Sequence, residues 1–396
     1  MLPSRRRGLA ALAVAVTVLL PSTNAQAAPR VSFVQKQVLA NPSHDDYLLA
    51  ADVDADGNLD VVSVLYEGFS VILGDGTGRF GPPKLRDIEP QLTFGAVTGD
   101  VDEDGRIDIV LADVLSKDVL LYRGDGHGGF GQGAVVTSTG GIELDLGIGD
   151  LDIDGHLDLI LTQSYRRLDV LRGAGDGSFR RTDQVTLSET ANGVVVKDIN
   201  GDGAPDVAVG SFFPQSNPGP TLVQVLMNDG TGDLSLGQPL EAGRNPASVA
   251  VGDLNGDGTP DLVAASRTKT KVRSDLTRSS VAVFLGTGDG TFGPASFYAA
   301  GRRPSSVAIA DFDSNGANDL VVLDNVEGFT VNILLGNGAG AFGGPQPFLT
   351  GGGFYQYVQS PVLVGRFNAD RQPDIVVPSE PGYVGVGINS THRPAG

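Results

Sequence analysis

The feature of the sequence that most constrains its fold is an acidic nonamer that recurs along the chain. Its first copy runs from Asp52 to Asp60 and carries carboxylates at positions 1, 3, 5 and 9 and a glycine at position 6. Carboxylates this close together repel each other unless a cation lies among them, and Ca²⁺ accepts about six to eight oxygen ligands in flexible geometry. Glycine lets the chain reverse where a Cβ would clash. The nonamer therefore predicts a calcium loop.

Six copies of the nonamer keep this pattern, and a seventh, at residues 366–374, is decayed. The copies begin 48 to 58 residues apart, so the chain is a repeat protein. At positions 1, 3, 5, 7 and 9, with position 7 offering its backbone carbonyl, the predicted ligands of about six Ca²⁺ ions are Asp52, Asp54, Asp56, Asn58 and Asp60; Asp100, Asp102, Asp104, Arg106 and Asp108; Asp150, Asp152, Asp154, His156 and Asp158; Asp198, Asn200, Asp202, Ala204 and Asp206; Asp253, Asn255, Asp257, Thr259 and Asp261; and Asp311, Asp313, Asn315, Ala317 and Asp319.

Each repeat predicts four short strands, as the fifth repeat shows. Residues 248–252 form an apolar strand that enters the Asp253 loop, and residues 261–265 form the strand that leaves it. A third strand over 280–285 ends in a glycine-rich turn, which leads through Phe292 to a fourth strand. Four strands in each repeat of about 50 residues are typical of a propeller blade. The predicted fold is all-β, a seven-bladed β-propeller with the calcium loops between first and second strands.

The two ends of the chain predict how the ring closes. The seventh repeat has three strands, over 362–364, 374–377 and 383–387, and then no fourth. Residues 31–39, ahead of the first repeat, have the apolar character of an orphan strand. An unpaired strand edge invites aggregation, and closure of the ring removes it. We therefore expect residues 31–39 to complete the seventh blade.

The loops, the unit length and the Phe-Gly pairs resemble those of FG-GAP repeats, also known as VCBS-type repeats. The Phe-Gly pairs begin at Phe80, Phe292 and Phe342, and the resemblance covers residues 31–390. Such repeats build the seven-bladed propeller of integrin α subunits and of secreted bacterial and fungal proteins. The resemblance implies calcium on one face of the ring and ligand binding, where there is any, on the opposite face.

The seventh loop departs from this pattern. Arg366 replaces the first ligand and Arg371 replaces the glycine, while Asp370 and Asp374 remain. One interpretation is a terminal repeat that has decayed. The other is that the guanidinium of Arg366 takes the place of the metal and pairs with the two remaining carboxylates.

Residues 1–27 are typical of a secretory signal peptide. Arg5, Arg6 and Arg7 form a charged segment, residues 9–20 are apolar, and Ala25-Gln26-Ala27 is a cleavage motif. The apolar run is too short to span a membrane. The sequence favours the general secretory route and leaves a twin-arginine route open. We expect a secreted, extracellular protein in which residues 28–396 form a single propeller domain.

The charge of the chain belongs to the loops. Their positions hold 23 of the 47 acidic residues, which leaves 24 acidic against 25 basic residues once the three arginines of residues 1–27 are set aside. The remaining surface is therefore near neutral. This balance argues against a nucleic-acid partner, because proteins that bind nucleic acids present a basic face.

Two enlarged loops and several side chains are expected on the face away from calcium. The loops cover 211–220, with Phe212 and Phe213, and 266–280, with cations at 267, 269, 271 and 273 that predict either an anion site or a solvated hairpin. The side chains expected there are Tyr47, Tyr165, Arg166, Arg167, Arg244, Arg302, Arg303, Phe354, Tyr355 and Tyr357.

Binding is the function that the sequence favours over catalysis. The chain has four histidines and no cysteine, and no order of Ser, His and Asp or spacing of zinc ligands emerges. We expect a monomeric binding or adhesion module for an extracellular carbohydrate or protein. A calcium-dependent polysaccharide lyase on the same fold is the alternative.

Overall fold

A computed structural model describes residues 31–40, 47–65, 68–87, 93–211, 221–266, 280–325, 329–349, 360–378 and 383–391. These residues form 28 strands in seven sheets, and every sheet has four antiparallel strands. None of the described segments forms a helix with the length and apolar character that crossing a bilayer requires. The predicted all-β, seven-bladed architecture is confirmed.

Six blades take their four strands in chain order, so that each blade is a simple meander. Blade 1 comprises β2 (Tyr47–Ala51), β3 (Asp60–Leu65), β4 (Gly68–Ile72) and β5 (Lys84–Asp87); blade 2 comprises β6 (Thr93–Gly99), β7 (Asp108–Asp113), β8 (Asp118–Tyr122) and β9 (Ala134–Ser138); blade 3 comprises β10 (Glu143–Gly149), β11 (Asp158–Gln163), β12 (Arg167–Gly173) and β13 (Phe179–Thr186). Blade 4 comprises β14 (Ala191–Lys197), β15 (Asp206–Ser211), β16 (Leu222–Asn228) and β17 (Leu234–Glu241); blade 5 comprises β18 (Pro246–Gly252), β19 (Asp261–Ser266), β20 (Ser280–Phe284) and β21 (Ser296–Ala299); blade 6 comprises β22 (Pro304–Ala310), β23 (Asp319–Asn325), β24 (Phe329–Leu334) and β25 (Gln346–Leu349).

Blade 7 joins the two ends of the chain. It comprises β26 (Leu363–Gly365), β27 (Asp374–Pro378), β28 (Tyr383–Asn389) and, as its outer strand, β1 (Phe33–Ala40). β1 runs antiparallel to β28, from Phe33 opposite Asn389 to Ala40 opposite Tyr383. The first strands of successive blades contact each other around the ring, and β26 contacts β2. The expected closure by the N-terminal strand is confirmed.

Seven apolar clusters hold the ring together, one at each boundary between neighbouring blades. The second strands of blades 2 to 7 are buried along their whole length, because both faces of the sheet pack against other blades. Outer strands such as β9 and β21 are largely exposed. The phenylalanines that follow the glycine-rich turns fill the boundaries, and the rings of Phe69 and Phe130 meet edge to face at 5.4 Å.

Candidate metal centres

Each acidic nonamer links the first strand of a blade to the second, and it lies on the same face of the ring as the turn between the third and fourth strands. In blade 1 the loop follows Ala51, and its last residue, Asp60, begins β3. Oδ1 of Asp60 accepts a hydrogen bond from the backbone N–H of Gly74, in the turn after β4, at 2.8 Å. One face of the ring therefore carries all the candidate centres.

The aspartate at position 9 joins three parts of every blade. Its Oδ1 accepts a backbone N–H at the end of the third strand, and its Oδ2 accepts the N–H of the apolar residue at loop position 2. The Oδ1 bonds span 2.7 to 2.9 Å and the Oδ2 bonds 2.8 to 3.2 Å across Asp60, Asp108, Asp158, Asp206, Asp261, Asp319 and Asp374. These carboxylates are buried. Position 9 is therefore a structural clasp in addition to a candidate ligand.

The residue at position 2 extends the clasp to the next blade. The carbonyl of Val53 accepts a hydrogen bond from the N–H of Gly128 in blade 2 at 3.2 Å, and the carbonyl of Phe367 in blade 7 accepts one from Gly78 in blade 1 at 2.9 Å. Side-chain amides do the same in two blades, where Asn228 donates to Leu151 and Asn389 donates to Phe312. Loop geometry and ring closure are thus coupled.

Position 1 fixes the path of the loop backbone. Asp52 accepts the N–H of Asp56 at 3.1 Å and that of Gly57 at 2.9 Å, and loops 2, 3 and 6 have the equivalent pair of bonds. In loops 4 and 5 the aspartate accepts the N–H of the glycine at position 4 instead of position 5, together with that of the glycine at position 6. Gly57 has a φ of 87°, as expected for the glycine at position 6. Position 4 also has a positive φ, which the sequence did not indicate, because four loops hold a non-glycine residue there: Ala55, Glu103, Ile153 and Ser314.

Position 3 supplies the observation that tests whether these residues fit a metal ion. In loops 1, 2, 3 and 6, carboxylate oxygens from positions 1, 3 and 9 all lie within 4.8 Å of one another. In the same four loops, one oxygen of the position-3 carboxylate is buried and has no hydrogen-bond partner: Asp54 Oδ1, Asp102 Oδ1, Asp152 Oδ1 and Asp313 Oδ2. A buried carboxylate oxygen without a donor is costly. The arrangement therefore fits a cation bound through oxygen atoms.

Loops 4 and 5 differ because asparagine stands at position 3. The side chain of Asn200 donates to Asp202 at 2.8 Å and accepts its N–H at 2.9 Å, and Asn255 makes the same pair of bonds with Asp257. An amide oxygen can still serve as a metal ligand. These two loops bring fewer negative charges together than loops 1 to 3.

Positions 5 and 7 interact with each other in all seven loops. Oδ1 of Asp56 accepts the N–H of Asn58 at 2.8 Å, which forms a tight Asx turn. Equivalent bonds join Arg106 to Asp104, His156 to Asp154, Ala204 to Asp202, Thr259 to Asp257, Ala317 to Asn315 and Gln372 to Asp370. The acidic clusters within 4.8 Å do not include position 5. The ligand roles predicted for positions 5 and 7 remain predictions.

The electrostatics of the loops favour a bound cation. The pKa of Asp60 and that of Asp108 are raised to about 6, and that of Asp319 to about 7, chiefly by burial and to a smaller extent by repulsion from neighbouring carboxylates. Burial, followed by repulsion from Asp56, also raises the pKa of Asp54. A cation among these oxygens would favour their ionised forms and remove the repulsion.

Two arginines that the sequence analysis missed reach into loops 2 and 3. Arg123 binds Oδ2 of Asp102 at 2.6 Å and the carbonyl of Asp176 in blade 3 at 2.9 Å. Arg172 binds Oδ2 of Asp152 at 3.0 Å and the carbonyl of Thr231 in blade 4. The residue at this place in the other blades is apolar: Leu73, Met227, Leu285, Leu335 and Ile388. That contrast within the repeats is the signal that could have revealed the two arginines.

Loop 7 shows that a guanidinium does not replace the metal there. Arg366 is exposed and forms no ion pair within the described part of the chain. Asp374 already accepts hydrogen bonds from Phe367 and Asn389, and Asp370 binds Asn368 and Gln372. The hypothesis of a built-in cation is therefore wrong, because backbone and amide donors satisfy the two carboxylates that it was meant to neutralise.

Tyr47 begins β2 and so lies at the end of the blade away from the acidic loops, where it lines a cavity shared by several blades. Its hydroxyl donates to Oδ1 of Asp145 at 3.2 Å, beside a cavity of about 150 Å³ lined by the first strands of five blades and by the residues that precede β26 in blade 7. Burial raises the pKa of Asp145 to about 7. The carboxylate also accepts the N–H groups of Leu146 and Val194, so it ties blades 1, 3 and 4 together.

The other residues expected on the face opposite the acidic loops differ in their exposure and in their partners. Tyr165 is 88% exposed. Arg167 forms an ion pair with the buried Asp169, and the backbone N–H groups of Arg302 and Arg303 bind Asp324. Several predictions lie outside the described residues: the segment 1–27, loop residues 212–220, the four cations at 267–273, and Phe354, Tyr355 and Tyr357.

Comparison with known sequences places the repeats in a family. The chain matches the family described as FG-GAP-like repeat in five overlapping or adjacent segments, residues 52–111, 100–161, 150–209, 198–264 and 272–322, which together cover more than half of its length. A comparison with curated proteins finds no match.

Solved structures show the same fold at low sequence identity. One is an Agrocybe aegerita lectin, described in terms of its specific recognition of non-reducing terminal N-acetylglucosamine; it is 22% identical, with a TM-score of 0.52, over 77% of this chain and 80% of that one. Another is BBS1N in complex with ARL6DN, soaked with lead; it is 11% identical, with a TM-score of 0.59, over 92% of this chain and 99% of that one. At these identities the likeness concerns the fold.

Proposed function

The chain belongs to the FG-GAP-like repeat family, and from that premise we propose that it is a secreted binding module whose propeller is stabilised by calcium. The module would present its ligand-binding surface on the face opposite the acidic loops. Its ligand would be an extracellular carbohydrate or protein.

The unpartnered position-3 oxygen carries the calcium part of the proposal. It lies next to the carboxylates of positions 1 and 9 in four loops, where a bound cation would satisfy it and offset the repulsion among the three carboxylates. Hard divalent cations prefer oxygen ligands, and Ca²⁺ tolerates irregular geometry and several carboxylates better than Mg²⁺ does. Calcium would not take part in a reaction here. It would neutralise the loops and so support the clasp at position 9.

The N-terminal sequence supports the same proposal. Residues 1–27 have the pattern of a signal peptide, and extracellular calcium is abundant enough to fill modules that bind it weakly, with constants of about 10⁻⁴ to 10⁻³ M. N-terminal sequencing of the protein recovered from the culture medium tests this. We expect the first residue to be Ala28. Retention in the cytoplasm with Met1 in place would contradict it.

Carbohydrate is the first ligand class to test, because a lectin is among the structural neighbours. The experiment is a glycan array and a protein-binding screen, run in calcium and repeated in EDTA. We expect a ligand in calcium and loss of its binding in EDTA. The proposal fails if no glycan or protein binds, or if the same ligand binds equally well without metal.

A polysaccharide lyase on the same scaffold is the enzyme that the screen must exclude. Uronate polymers incubated with the protein in calcium would develop the absorbance of an unsaturated product if it were a lyase. A binding module would leave the polymer intact. Product formation that depends on enzyme concentration would replace binding with catalysis as the function.

A further inference from the structure

Three adjacent segments form one surface at the boundary of blades 2 and 3, which we call the blade 2/3 ridge. They are residues 115–117, between β7 and β8; residues 139–142, between β9 and β10; and residues 164–166, between β11 and β12. The N–H of Thr139 donates to the carbonyl of Lys117 at 3.0 Å, and the N–H of Ser164 donates to the carbonyl of Ile142 at 2.8 Å. Turns between second and third strands lie on the face opposite the acidic loops, so the ridge belongs to that face.

The ridge exposes three large apolar side chains. Leu115 is 53% exposed, Ile142 is 42% exposed and Tyr165 is 88% exposed. Side chains of the same size fill the boundaries between blades deeper in the ring. Exposed apolar groups that lie close together on a surface indicate an interaction site.

Backbone strain is concentrated in the same segments. Outside the acidic loops, four non-glycine residues of the described chain have a positive φ, and three of them lie in the ridge: Lys117 at 63°, Tyr165 at 65° and Arg166 at 64°. Two consecutive positive φ values are what a type I′ turn requires, and such a turn favours Asn-Gly. Tyrosine and arginine are poor choices for such a turn on conformational grounds. Strained residues of this kind cluster at functional sites.

A buried carboxylate holds the strained turn in place. Asp169 is fully buried and accepts hydrogen bonds from Arg167 at 2.7 Å, Gln163 at 3.1 Å and Gln184 at 3.0 Å, and Arg181 pairs with it at 2.8 Å. Gln163 precedes the turn and Arg167 follows it, so both of its ends are anchored to one group. Tyr165 and Arg166 are therefore presented on a rigid support, which lowers the entropy cost of binding.

The charges on the ridge restrict the partner. Lys117 and Arg166 are exposed, and neither forms an ion pair within the described residues, on a chain whose net charge is −19. Tyrosine and arginine are also the residues most enriched at energetic centres of protein interfaces. Aliphatic side chains such as Leu115 and Ile142 offer nothing to the hydroxyl groups of a sugar, whereas they suit the apolar side chains of a polypeptide.

We propose that the blade 2/3 ridge binds an acidic polypeptide segment, whose apolar side chains pack on Leu115, Ile142 and Tyr165 while its carboxylates pair with Lys117 and Arg166. This proposal specifies the partner of the binding module, and it rests on the proposed function that the protein is such a module.

A peptide selection tests the proposal. Random dodecapeptides displayed on phage are selected on the immobilised wild-type protein in calcium and counter-selected on the double variant Tyr165→Ala, Arg166→Ala. We expect enrichment of peptides that combine Asp or Glu with apolar residues. In fluorescence anisotropy their affinity should fall about tenfold or more in the double variant and weaken as salt is added. The control Val135→Ala, at a 59% exposed position on β9, should bind like the wild type.

Several results would overturn the proposal. They are the absence of any enriched peptide, enrichment of basic peptides, or peptides that bind the double variant as well as the wild type. Polygalacturonate that binds through Tyr165 when no peptide does would make the ridge a site for acidic glycans instead. If a ligand from the glycan and protein screen binds the wild type and the double variant equally, the ridge is not the binding site, while the proposed function stands. If nothing binds either protein, both fail.

A second variant separates binding from folding. Tyr165→Asn with Arg166→Gly installs the dipeptide that a type I′ turn favours. We expect its melting temperature to rise by about 2 °C or more, because the strain is relieved, while peptide binding is lost. A variant that is no more stable than the wild type would show that Tyr165 and Arg166 do not strain the turn. A variant that retains peptide binding would show that these two side chains are not needed to bind the partner.

Discussion

Blade 7 and the other six blades all have four antiparallel strands, but they differ in where the outer strand comes from and in the first residue of the acidic loop. Blade 7 borrows its outer strand from the N-terminal end of the chain, and its loop has Arg366 where the others have aspartate. Yet Asp374 keeps both hydrogen bonds of the clasp, and burial raises its pKa to about 6, as it does for Asp60. The loop keeps the carboxylate that the fold needs and lacks the one at position 1.

This difference separates two roles that the acidic nonamer combines. Position 9 and the Asx turn at position 5 occur in all seven loops, so they serve the blade itself. The aspartate at position 1 and the positive φ at positions 4 and 6 occur together in six loops, and loop 7 has none of them. In four of those six, position 3 adds a carboxylate with an unpartnered oxygen. The metal binding that we propose for the six loops would therefore be an addition to a scaffold that can form a blade without it.

Among the changes that test this comparison, deletion of β1 should have the largest effect on the stability of the protein. Without residues 33–40, β28 loses its partner and the ring has an open edge, so we expect aggregation or loss of cooperative unfolding. Size-exclusion chromatography and thermal unfolding by circular dichroism measure this. A control truncation that ends before Val31 should remain monomeric and as stable as the wild type. A soluble and fully stable protein without β1 would refute closure as a requirement.

Removal of calcium should come next in size. If free calcium is one to ten times the dissociation constant, each site contributes about 0.4 to 1.4 kcal/mol, so six sites contribute roughly 2 to 8 kcal/mol to the free energy of unfolding. Melting curves in calcium and in EDTA should therefore differ by many degrees. Magnesium at the same concentration is the control and should restore little of the difference. Identical curves would remove metal from the explanation of the six loops.

Much of this could be read from the sequence, for identifiable reasons. The regular spacing of the nonamer predicted seven blades. The absence of a fourth strand in the seventh repeat, after the strand that begins at Tyr383, predicted how the ring closes. The clasp was not foreseen, because a pattern of aspartates does not reveal that position 9 accepts two backbone N–H groups across the blade. The positive φ of Ala55 and Glu103 was missed because neither residue type marks such a conformation.

The role of position 9 can be isolated in blade 7. Asp374→Ala should leave the N–H groups of Phe367 and Asn389 buried without partners, at a cost of about 2 to 6 kcal/mol in the free energy of unfolding. The loss should be equal in calcium and in EDTA, whereas Asp60→Ala should lose more in calcium. Denaturant unfolding of both variants measures this, with Arg371→Ala, at an exposed position of the same loop, as control. A loss for Asp374→Ala that depends on calcium would contradict the separation of roles.

Restoration of the seventh loop should have the smallest effect. Arg366→Asp with Arg371→Gly returns the aspartate at position 1 and the glycine at position 6, and should add about 0.4 to 1.4 kcal/mol of stability in calcium and none in EDTA. Arg366→Ala alone should leave the melting temperature unchanged, because the side chain is exposed. A marked loss of stability in Arg366→Ala would revive a structural role for the guanidinium.

The central claim is that six loops bind calcium and the seventh does not. The most direct measurement is the number of calcium ions bound to each chain at saturation, by isothermal titration calorimetry and by elemental analysis after equilibrium dialysis. We predict six for the wild type and seven for the restored variant. A count of zero, or a wild-type count of seven, would contradict the claim.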